Sequence, residues 1–285
     1  MRSRERADLH THTTCSDGRL TPRELVRRAA QVGLGAVAIT DHDTVAGLEE
    51  AYAESRSRGL ELIPGLELSV RWVDRDLHLL AYGIDPDHGD LRKALEALRE
   101  ARLERLRQMV RNLGEIGIRI SLDRVLEVAG SGVVGRPHLA QVLVEAGWAR
   151  TPAEAFARYL GSEGPVAAPR VGVPLEEALR LIHRAGGVAV IAHPGPRLAG
   201  APLAALIRAG LDGIEVVHPR HSWRWARYYG ELAREAGLIA TGGSDYHGGP
   251  EEEAYFGSVV VSCAIAEQLR HRAAYKGGAT YVRCS

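Results

Sequence analysis

Short apolar runs alternate with amphipathic helix patterns along most of the chain. TPRE (21–24) is a capping box that starts a helix, Gly33 stands where that helix ends, and GAVAIT (35–40) follows as a strand. Three later pairs repeat the order: PLEEALRLIHRAGG before VAVIAH, APLAALIRAG before LDGIEVVH, and SWRWARYYGELAREAG before LIATGGSD. Strands and helices of these lengths predict parallel βα units, arranged as an open sheet or as a barrel.

The remaining elements are less regular. A second helix is predicted over residues 45–58, and LELIPGLELSV (60–70) follows as a strand despite its proline. HLLAYGI (78–84) is a further strand, and a last helix and strand are expected near the end of the chain.

Residues 90–170 break the alternation with helix patterns alone. The first pattern is long, but its apolar spacing does not persist over three heptads, so a coiled-coil arm is disfavoured. We therefore expect two domains: an α/β frame formed by residues 1–89 and 171–285, and a helical subdomain formed by residues 90–170, inserted over the active site.

Composition excludes several classes of protein. The 285 residues include 36 acidic and 36 basic residues, so no strong overall charge draws the chain to nucleic acid or to a membrane. The first six residues lack the apolar core of a signal peptide, and no run approaches the roughly 18 apolar residues of a membrane span. Cys15, Cys263 and Cys284 show no CxxC pairing. We expect a cytoplasmic protein without membrane association, and no protein partner is implied.

Metal-ligand residue types follow the apolar strands. In chain order they are His10 and His12, then His42, Glu67, His193, and finally Asp245 and His247. The carboxyl ends of strands in parallel sheets and barrels share one face, so these side chains should converge. His78 is the exception because it opens its predicted strand, which indicates an antiparallel or kinked segment.

Imidazoles and carboxylates together bind zinc, manganese or iron, and the absence of thiolates argues against a soft-metal site. The spacing HxH places His10 and His12 on the same side of an extended strand. A carboxylate such as Glu67 can bridge two ions, and paired ions activate water for attack on a phosphate ester. Any one of these motifs is explained as well by a strand end or a helix cap, but their recurrence at successive strand ends favours a metal centre.

The motifs DLHTHTTCSDG, AITDHDT, PGLELS, HLLAYG, IAHPG and GGSDYHG, in this order, resemble those of the PHP (polymerase and histidinol phosphatase) family. The resemblance implies a distorted (βα)7 barrel that holds up to three divalent ions, with Mn²⁺ favoured and Fe²⁺ or Zn²⁺ as alternatives. It assigns His10, His12, Glu67 and Asp245 to one ion; Glu67, His78 and His193 to a second; and Asp17, His42 and His247 to a third.

The implied reaction is hydrolysis of a phosphoester by a hydroxide that bridges two ions. Asp245, or a neighbouring histidine, is predicted to position or deprotonate the water. His218, which ends the strand GIEVVH, is a candidate proton donor to the leaving group, although it can equally serve as a structural hydrogen-bond donor.

The insertion supplies the clue to the substrate. GRPH (135–138) opens a helix, whose N-terminus favours an anion, and Arg136 adds a charge-assisted contact. The further candidates for phosphate binding are His138, Arg170, Arg197 and His221. An insertion with this element is similar to that of the PHP branch acting on nucleotides, which implies a phosphatase of 3′,5′-nucleoside bisphosphates or an exonuclease acting at RNA or oligonucleotide 5′ ends.

Three alternatives remain. A histidinol-phosphate phosphatase uses the same metal chemistry but matches the insertion less well. The exonuclease domain of a DNA polymerase is disfavoured because no polymerase sequence follows. A metal-stabilised binding module without turnover is disfavoured because no ligand position is missing. The candidates for base stacking are Trp148, Trp223, Trp225 and Tyr246.

Overall fold

The computed structural model describes residues 5–161 and 164–273. Within these ranges nine strands form one sheet: β1 (Arg6–Asp8), β2 (Ala36–Ile39), β3 (Glu61–Trp72), β4 (Arg75–Tyr82), β5 (Val173–Pro174), β6 (Val188–Ile191), β7 (Gly213–Val217), β8 (Ile239–Gly242) and β9 (Val261–Ser262). Their order is β8-β7-β6-β4-β3-β2-β1-β9, and β5 pairs with β3.

The two ends of this sheet nearly close on each other. The Leu9 amide donates to the Gly242 carbonyl over 3.3 Å, and the His12 amide donates to the Tyr246 carbonyl over 2.9 Å. β1 and β8 are thereby joined, and seven strands (β1–β4 and β6–β8) surround a common interior. The predicted distorted α/β barrel is confirmed.

Ten α-helices lie in the described ranges: α1 (Pro22–Gln31), α2 (Leu48–Arg58), α3 (Gly89–Glu115), α4 (Leu122–Ala129), α5 (Arg136–Glu145), α6 (Pro152–Ala155), α7 (Leu175–Arg184), α8 (Ala201–Ala209), α9 (Trp223–Ala236) and α10 (Cys263–Arg272). The capping box predicted at Thr21 is present, because its hydroxyl accepts from the Glu24 amide and the Glu24 carboxylate accepts from the Thr21 amide. The strand expected to follow α10 lies outside the described residues.

β4 is the strand that departs from the parallel pattern. It pairs antiparallel with both β3 and β6, so its first half lies at the edge where the parallel strands end. His78 was predicted to open this strand, which is wrong: the strand begins at Arg75, after a turn in which Val73 has a φ of 55°. Glu67 lies within β3, which spans the predicted strand of residues 60–70 and continues to Trp72.

Two smaller differences concern helices. α2 begins at Leu48 rather than at residue 45, because a turn closed by the Leu48 amide and the Val45 carbonyl, 3.1 Å apart, precedes it. The helix predicted over TPAEAFARYLG is α-helical only in α6, and Phe156–Leu160 continues it as a wider π-helical turn.

The helical segment has a core of its own. Leu91, Leu95 and Leu98, in the first part of α3, pack in the barrel core. Leu106 and Met109, farther along the same helix, pack instead with α4, α5 and the turn after α6 in a second cluster. α3 therefore joins the two cores. None of the helices in the described ranges is long and apolar enough to cross a membrane.

Candidate metal centre

The nine predicted ligands converge at the carboxyl end of the barrel. Most lie in the loops that follow β1, β2, β6 and β8, whereas Glu67 and His78 project from within β3 and β4. We call this set the metal cluster: His10, His12, Asp17, His42, Glu67, His78, His193, Asp245 and His247. Three overlapping groups of donors lie within it: His12, Asp17, His42 and His247; His10, His12, Glu67 and Asp245; and His42, Glu67 and His78. A fourth group joins His10 to Glu215 and His218.

Glu67 lies at the centre of the metal cluster and is 1% exposed. Its Oε1 is 2.8 Å from His78 Nδ1 and 3.0 Å from His193 Nε2. Its Oε2 faces three other ring nitrogens at 3.3, 3.4 and 3.1 Å: His10 Nε2, His12 Nε2 and His42 Nδ1. The two oxygens of one carboxylate therefore face two different sets of imidazoles, which is the arrangement of a bridging ligand.

Asp245 completes the set around Glu67 Oε2. Its Oδ1 is 3.3 Å from both His10 Nε2 and His12 Nε2. His10, His12, Glu67 and Asp245 each offer one donor atom, and these four atoms all lie within 4.8 Å of one another. This size and mixture of nitrogen and oxygen suit a single divalent ion.

Asp17 organises the outer side of the metal cluster. Its Oδ1 is 3.4 Å from His247 Nε2 and 3.9 Å from His12 Nδ1, and its Oδ2 is 3.8 Å from His42 Nε2. These four side chains form a further group of donors within 4.8 Å of one another. His12 therefore lies between this group and the one around Asp245.

Unpartnered buried atoms test whether ions fit these groups. Among the described side chains, the buried nitrogens and oxygens without a hydrogen-bond partner include seven in the metal cluster: His10 Nε2, His12 Nδ1, His12 Nε2, Asp17 Oδ1, His42 Nδ1, Glu67 Oε2 and His78 Nδ1. Leaving so many polar atoms unpaired is costly. Divalent ions would satisfy them together, so the residues fit a metal centre.

The carboxylates of the metal cluster are ionised. Burial opposes ionisation of Asp17, Glu67 and Asp245, but the surrounding imidazoles outweigh it and hold the pKa of each carboxyl well below its usual range. Burial lowers the pKa of His42 to about 3, so this ring is neutral and its lone pair is free to bind a metal.

The loops that carry the candidate ligands are conformationally strained. Asp43, His193 and Asp245 adopt positive φ angles of 50°, 26° and 52°, a region that residues other than glycine seldom occupy. Such strain is characteristic of functional sites. Asp41 holds the first loop in place, because its carboxylate accepts from the Thr13 amide and hydroxyl and from the Ser16 hydroxyl over 2.6–2.7 Å.

His218 and His221 lie in the loop after β7. The Nδ1 atom of His218 accepts from the Arg220 amide over 3.0 Å, so the proton of the neutral ring is on Nε2, 3.3 Å from Asp245 Oδ2. His221 points the other way, since its Nδ1 donates to the Val216 carbonyl over 3.0 Å. Of the two, only His218 directs an N–H group at the metal cluster.

The predicted phosphate-binding residues lie in different environments. Arg136 Nη1 donates to the Leu160 carbonyl over 3.3 Å, and its guanidinium lies 5.7 Å from the Phe156 ring. His138 is 7% exposed, and its Nδ1 accepts from the Gly135 amide over 3.0 Å, so it caps its own helix. The side chain of Arg197 is exposed in the short turn after His193.

Sequence reasoning missed two arginines on α3. Arg102 Nε donates to Asp43 Oδ2 over 2.6 Å, and its Nη2 donates to the Ser69 hydroxyl over 2.9 Å. Arg105 is within electrostatic range of Arg102 and of the two predicted residues Arg136 and Arg170. We call Arg102, Arg105, Arg136 and Arg170 the arginine cluster. The signal in the sequence, basic residues three apart on a helix, is too common to select them.

Glu215 was missed as well. It lies in the middle of β7, is completely buried, and contacts His10 and His193. A lone glutamate inside the apolar strand GIEVV was the available signal, because burying an unpartnered carboxylate in a barrel is unfavourable.

Tyr246 was proposed as a surface for base stacking, which is wrong. It is 1% exposed and packs against Phe256, with ring centroids 4.5 Å apart. Trp223, in contrast, is 77% exposed at the start of α9.

A barrel with imidazoles and carboxylates gathered around a central buried glutamate is typical of a metal-dependent hydrolase. The PHP domain model matches residues 8–123. The 3′,5′-nucleoside bisphosphate phosphatase of Chromobacterium violaceum is 38% identical over 246 residues, covering 84% of this chain and 86% of that protein. The 5′-3′ exoribonuclease Rnm of Salmonella typhimurium is 38% identical over 247 residues, covering 84% of each.

The fold is similar as well. The crystal structure of a candidate metal-dependent phosphoesterase from Bifidobacterium adolescentis superposes with a TM-score of 0.86 at 35% identity, covering 94% of this chain and 96% of that one. The chain belongs to the PHP family. It is a metal-dependent phosphoesterase, a hydrolase of phosphoester bonds, as the sequence motifs predicted.

Proposed function

We propose that this phosphoesterase removes the 3′-phosphate of 3′,5′-nucleoside bisphosphates and cleaves the first phosphodiester at the 5′ ends of RNA. The observation that carries this proposal is the arginine cluster, which adjoins the metal cluster. Asp43 accepts from Arg102 and directly follows the candidate ligand His42. Asp76, 3.7 Å from Arg170 Nε, lies two residues before the candidate ligand His78.

The arginine cluster has unsatisfied positive charge. Burial and the nearby Arg136 guanidinium lower the pKa of Arg105 to about 10, so its charge is destabilised by its surroundings. Its Nε is buried and has no hydrogen-bond partner among the described residues. A phosphate group would supply both the missing acceptor and the missing negative charge.

One binding mode accounts for both substrate types. If the arginine cluster holds the 5′-phosphate of a nucleotide, the 3′-phosphate reaches the metal cluster. Water adds to that phosphorus, the bond from phosphorus to the 3′-oxygen breaks, and a nucleoside 5′-monophosphate leaves. When the 3′-phosphate is terminal, the enzyme acts as a phosphatase. When it is part of a phosphodiester, the enzyme acts as a 5′-to-3′ exonuclease and leaves a new 5′-phosphate on the shortened RNA.

The nine side chains of the metal cluster would hold up to three divalent ions, for which we favour Mn²⁺. Bound there, the ions supply acidified water and neutralise the charge that develops on the phosphoryl oxygens. Asp245 is ionised and positions the reacting water. His218, whose Nε2–H group faces Asp245, would donate a hydrogen bond to the departing 3′-oxygen, which leaves as a hydroxyl with the proton released by the attacking water.

The helical segment of residues 90–170 forms a wall of this site. The Val133 amide donates to the Cys15 carbonyl over 2.9 Å. A side chain at Gly132 would lie 2.6 Å from the Thr14 carbonyl oxygen, so the two loops are in close contact. The segment therefore touches the loop of the first two ligands, which supports its role in selecting the substrate.

The test is phosphate or nucleotide release by Mn²⁺-loaded protein. The substrates are adenosine 3′,5′-bisphosphate, 3′-AMP, histidinol phosphate, and one short RNA with either a 5′-phosphate or a 5′-hydroxyl. We expect the bisphosphate to exceed 3′-AMP and the 5′-phosphorylated RNA to exceed its hydroxyl form, with all activity lost in His193→Ala. Preference for histidinol phosphate would contradict the proposed substrate, and inactivity on every substrate with ions bound would favour a binding module.

A further inference from the structure

We propose that Glu215 is a positioning residue that fixes one ligand of each of two neighbouring ions; the inference rests on the metal centre proposed above. Glu215 lies in the middle of β7, with apolar Ile214 and Val216 on either side. Its side chain is completely buried. Each of its oxygens contacts a different residue of the metal cluster, so one carboxylate can orient both residues.

The first contact of Glu215 orients the imidazole ring of His10. His10 Nδ1 is 2.8 Å from Glu215 Oε1. A carboxylate only accepts hydrogen bonds, so Nδ1 carries the proton and the lone pair of the neutral ring is on Nε2. That atom faces Glu67 and Asp245, at 3.3 Å from each. Glu215 thus sets the tautomer in which His10 can bind an ion, a role typical of carboxylates behind metal-binding histidines.

The second contact of Glu215 holds the backbone of His193. The His193 amide donates to Glu215 Oε2 over 2.6 Å. His193 has a φ of 26°, which is unfavourable for a residue with a side chain. The hydrogen bond to a buried carboxylate stabilises this conformation, in which His193 Nε2 lies 3.0 Å from Glu67 Oε1. One carboxylate therefore orients a ligand on each side of the bridging Glu67.

The informative variant is Glu215→Gln, which keeps the shape and replaces one acceptor oxygen with an NH₂ group. If that group faces His10, the ring must accept at Nδ1 and carry its proton on Nε2, where it blocks the ion. If it faces His193, it opposes that amide. We expect the binding of at least one Mn²⁺ to weaken about 10- to 100-fold. Glu215→Asp, which keeps both acceptors, should lose less affinity.

The measurement is calorimetric titration of metal-free protein with Mn²⁺, together with the visible spectrum of the Co²⁺-loaded protein. The matched control is Glu61→Gln, since Glu61 is also a buried glutamate of the barrel but pairs with Arg270 on α10. We expect the control to bind Mn²⁺ as the wild type does, and the activity of Glu215→Gln to recover at saturating Mn²⁺.

Wild-type Mn²⁺ affinity and stoichiometry in Glu215→Gln would overturn the inference, as would an equal loss in the Glu61→Gln control. If Glu215→Gln does not fold, Glu215→Leu, which removes both acceptors in an apolar strand, carries the test, and wild-type affinity in that variant would overturn the inference. A wild-type protein that binds no Mn²⁺ would instead contradict the metal centre itself, so the two failures are distinguishable.

Discussion

The metal cluster and the arginine cluster lie side by side but are opposite in chemistry and origin. The metal cluster consists of acceptor atoms on the barrel and attracts cations. The arginine cluster consists of donor groups, mostly on helices of the inserted segment, and attracts anions. Arg102 and Asp43 join them through a hydrogen bond of 2.6 Å. The comparison suggests that the barrel determines which bond is broken and the insertion determines which substrate is bound.

Removing the bridge of the metal cluster should have the largest effect. Glu67→Gln removes the charge that faces both sets of imidazoles. We expect the rate of phosphate release from adenosine 3′,5′-bisphosphate to fall by about 1000-fold or more, since metal stabilisation of the transition state contributes several kcal/mol. Steady-state kinetics at saturating Mn²⁺ measure this. A fall of less than tenfold would show that Glu67 does not join two ions.

Removal of the Arg102 side chain, which joins the two clusters through Asp43, should mainly reduce the stability of the fold. Asp43 is 1% exposed, so Arg102→Ala leaves a buried carboxylate without its charged partner. We expect the free energy of unfolding of the metal-free protein to fall by about 3 kcal/mol in urea titrations. Arg124→Ala is the control, because the ion pairs of Arg124 with Glu127 and Glu145 are exposed, and it should change stability by less than about 0.5 kcal/mol. Equal losses in both variants would contradict a special link between the clusters.

Weakening the arginine cluster should change substrate choice alone. Arg136→Ala and Arg105→Ala each remove one charge-assisted contact, worth about 1.5–3 kcal/mol, to the second phosphate. We expect kcat/KM for the bisphosphate to fall about 10- to 100-fold, mainly through KM, whereas kcat/KM for 3′-AMP stays within about twofold. Arg124→Ala should leave both values unchanged. A parallel loss on both substrates would place these arginines in the cleavage step instead.

Loss of an ion pair outside both clusters should have the smallest effect on the free energy of unfolding. The hydrogen bond to Asp212 raises the pKa of His183 above its ordinary 6.5. The pair therefore stabilises the fold fully below pH 6.5, and the contribution is lost as the pH rises through the raised pKa. With His183 41% exposed, we expect His183→Ala to cost less than about 1 kcal/mol at pH 6 and still less at pH 9. A difference that grows with pH would contradict this assignment.

The two clusters also differed in how much the sequence could predict. Most candidate metal ligands were predicted because they stand in short motifs beside apolar strands, whose carboxyl ends share one face of a parallel sheet or barrel. Asp17 and His78 were assigned only through the resemblance to the PHP family. The placement of His78 inside its strand was missed, because the start of β4 depends on the turn at Val73. The alternation of strands and helices predicted parallel βα units but did not decide between an open sheet and a barrel; the barrel was implied by the resemblance of the motifs to the PHP family.

The arginine cluster was only partly predicted. Arg136 was selected because its motif starts a helix, but Arg102 and Arg105 become relevant only once α3 is packed across the barrel. Which face of a long helix meets a site depends on tertiary contacts, which a local pattern does not contain. Glu215 is intermediate: its burial was predictable from its strand, but its partners were not.

The most direct test is a thermodynamic cycle that combines removal of the 5′-phosphate from the substrate with removal of two arginine side chains from the protein. It compares kcat/KM for adenosine 3′,5′-bisphosphate and 3′-AMP in the Mn²⁺-loaded wild type and in the Arg105→Ala/Arg136→Ala double variant. We predict that the wild type prefers the bisphosphate at least about tenfold and that the double variant has almost no preference. An unchanged preference in the double variant would show that the arginine cluster does not bind the second phosphate, and would contradict the division of roles between barrel and insertion.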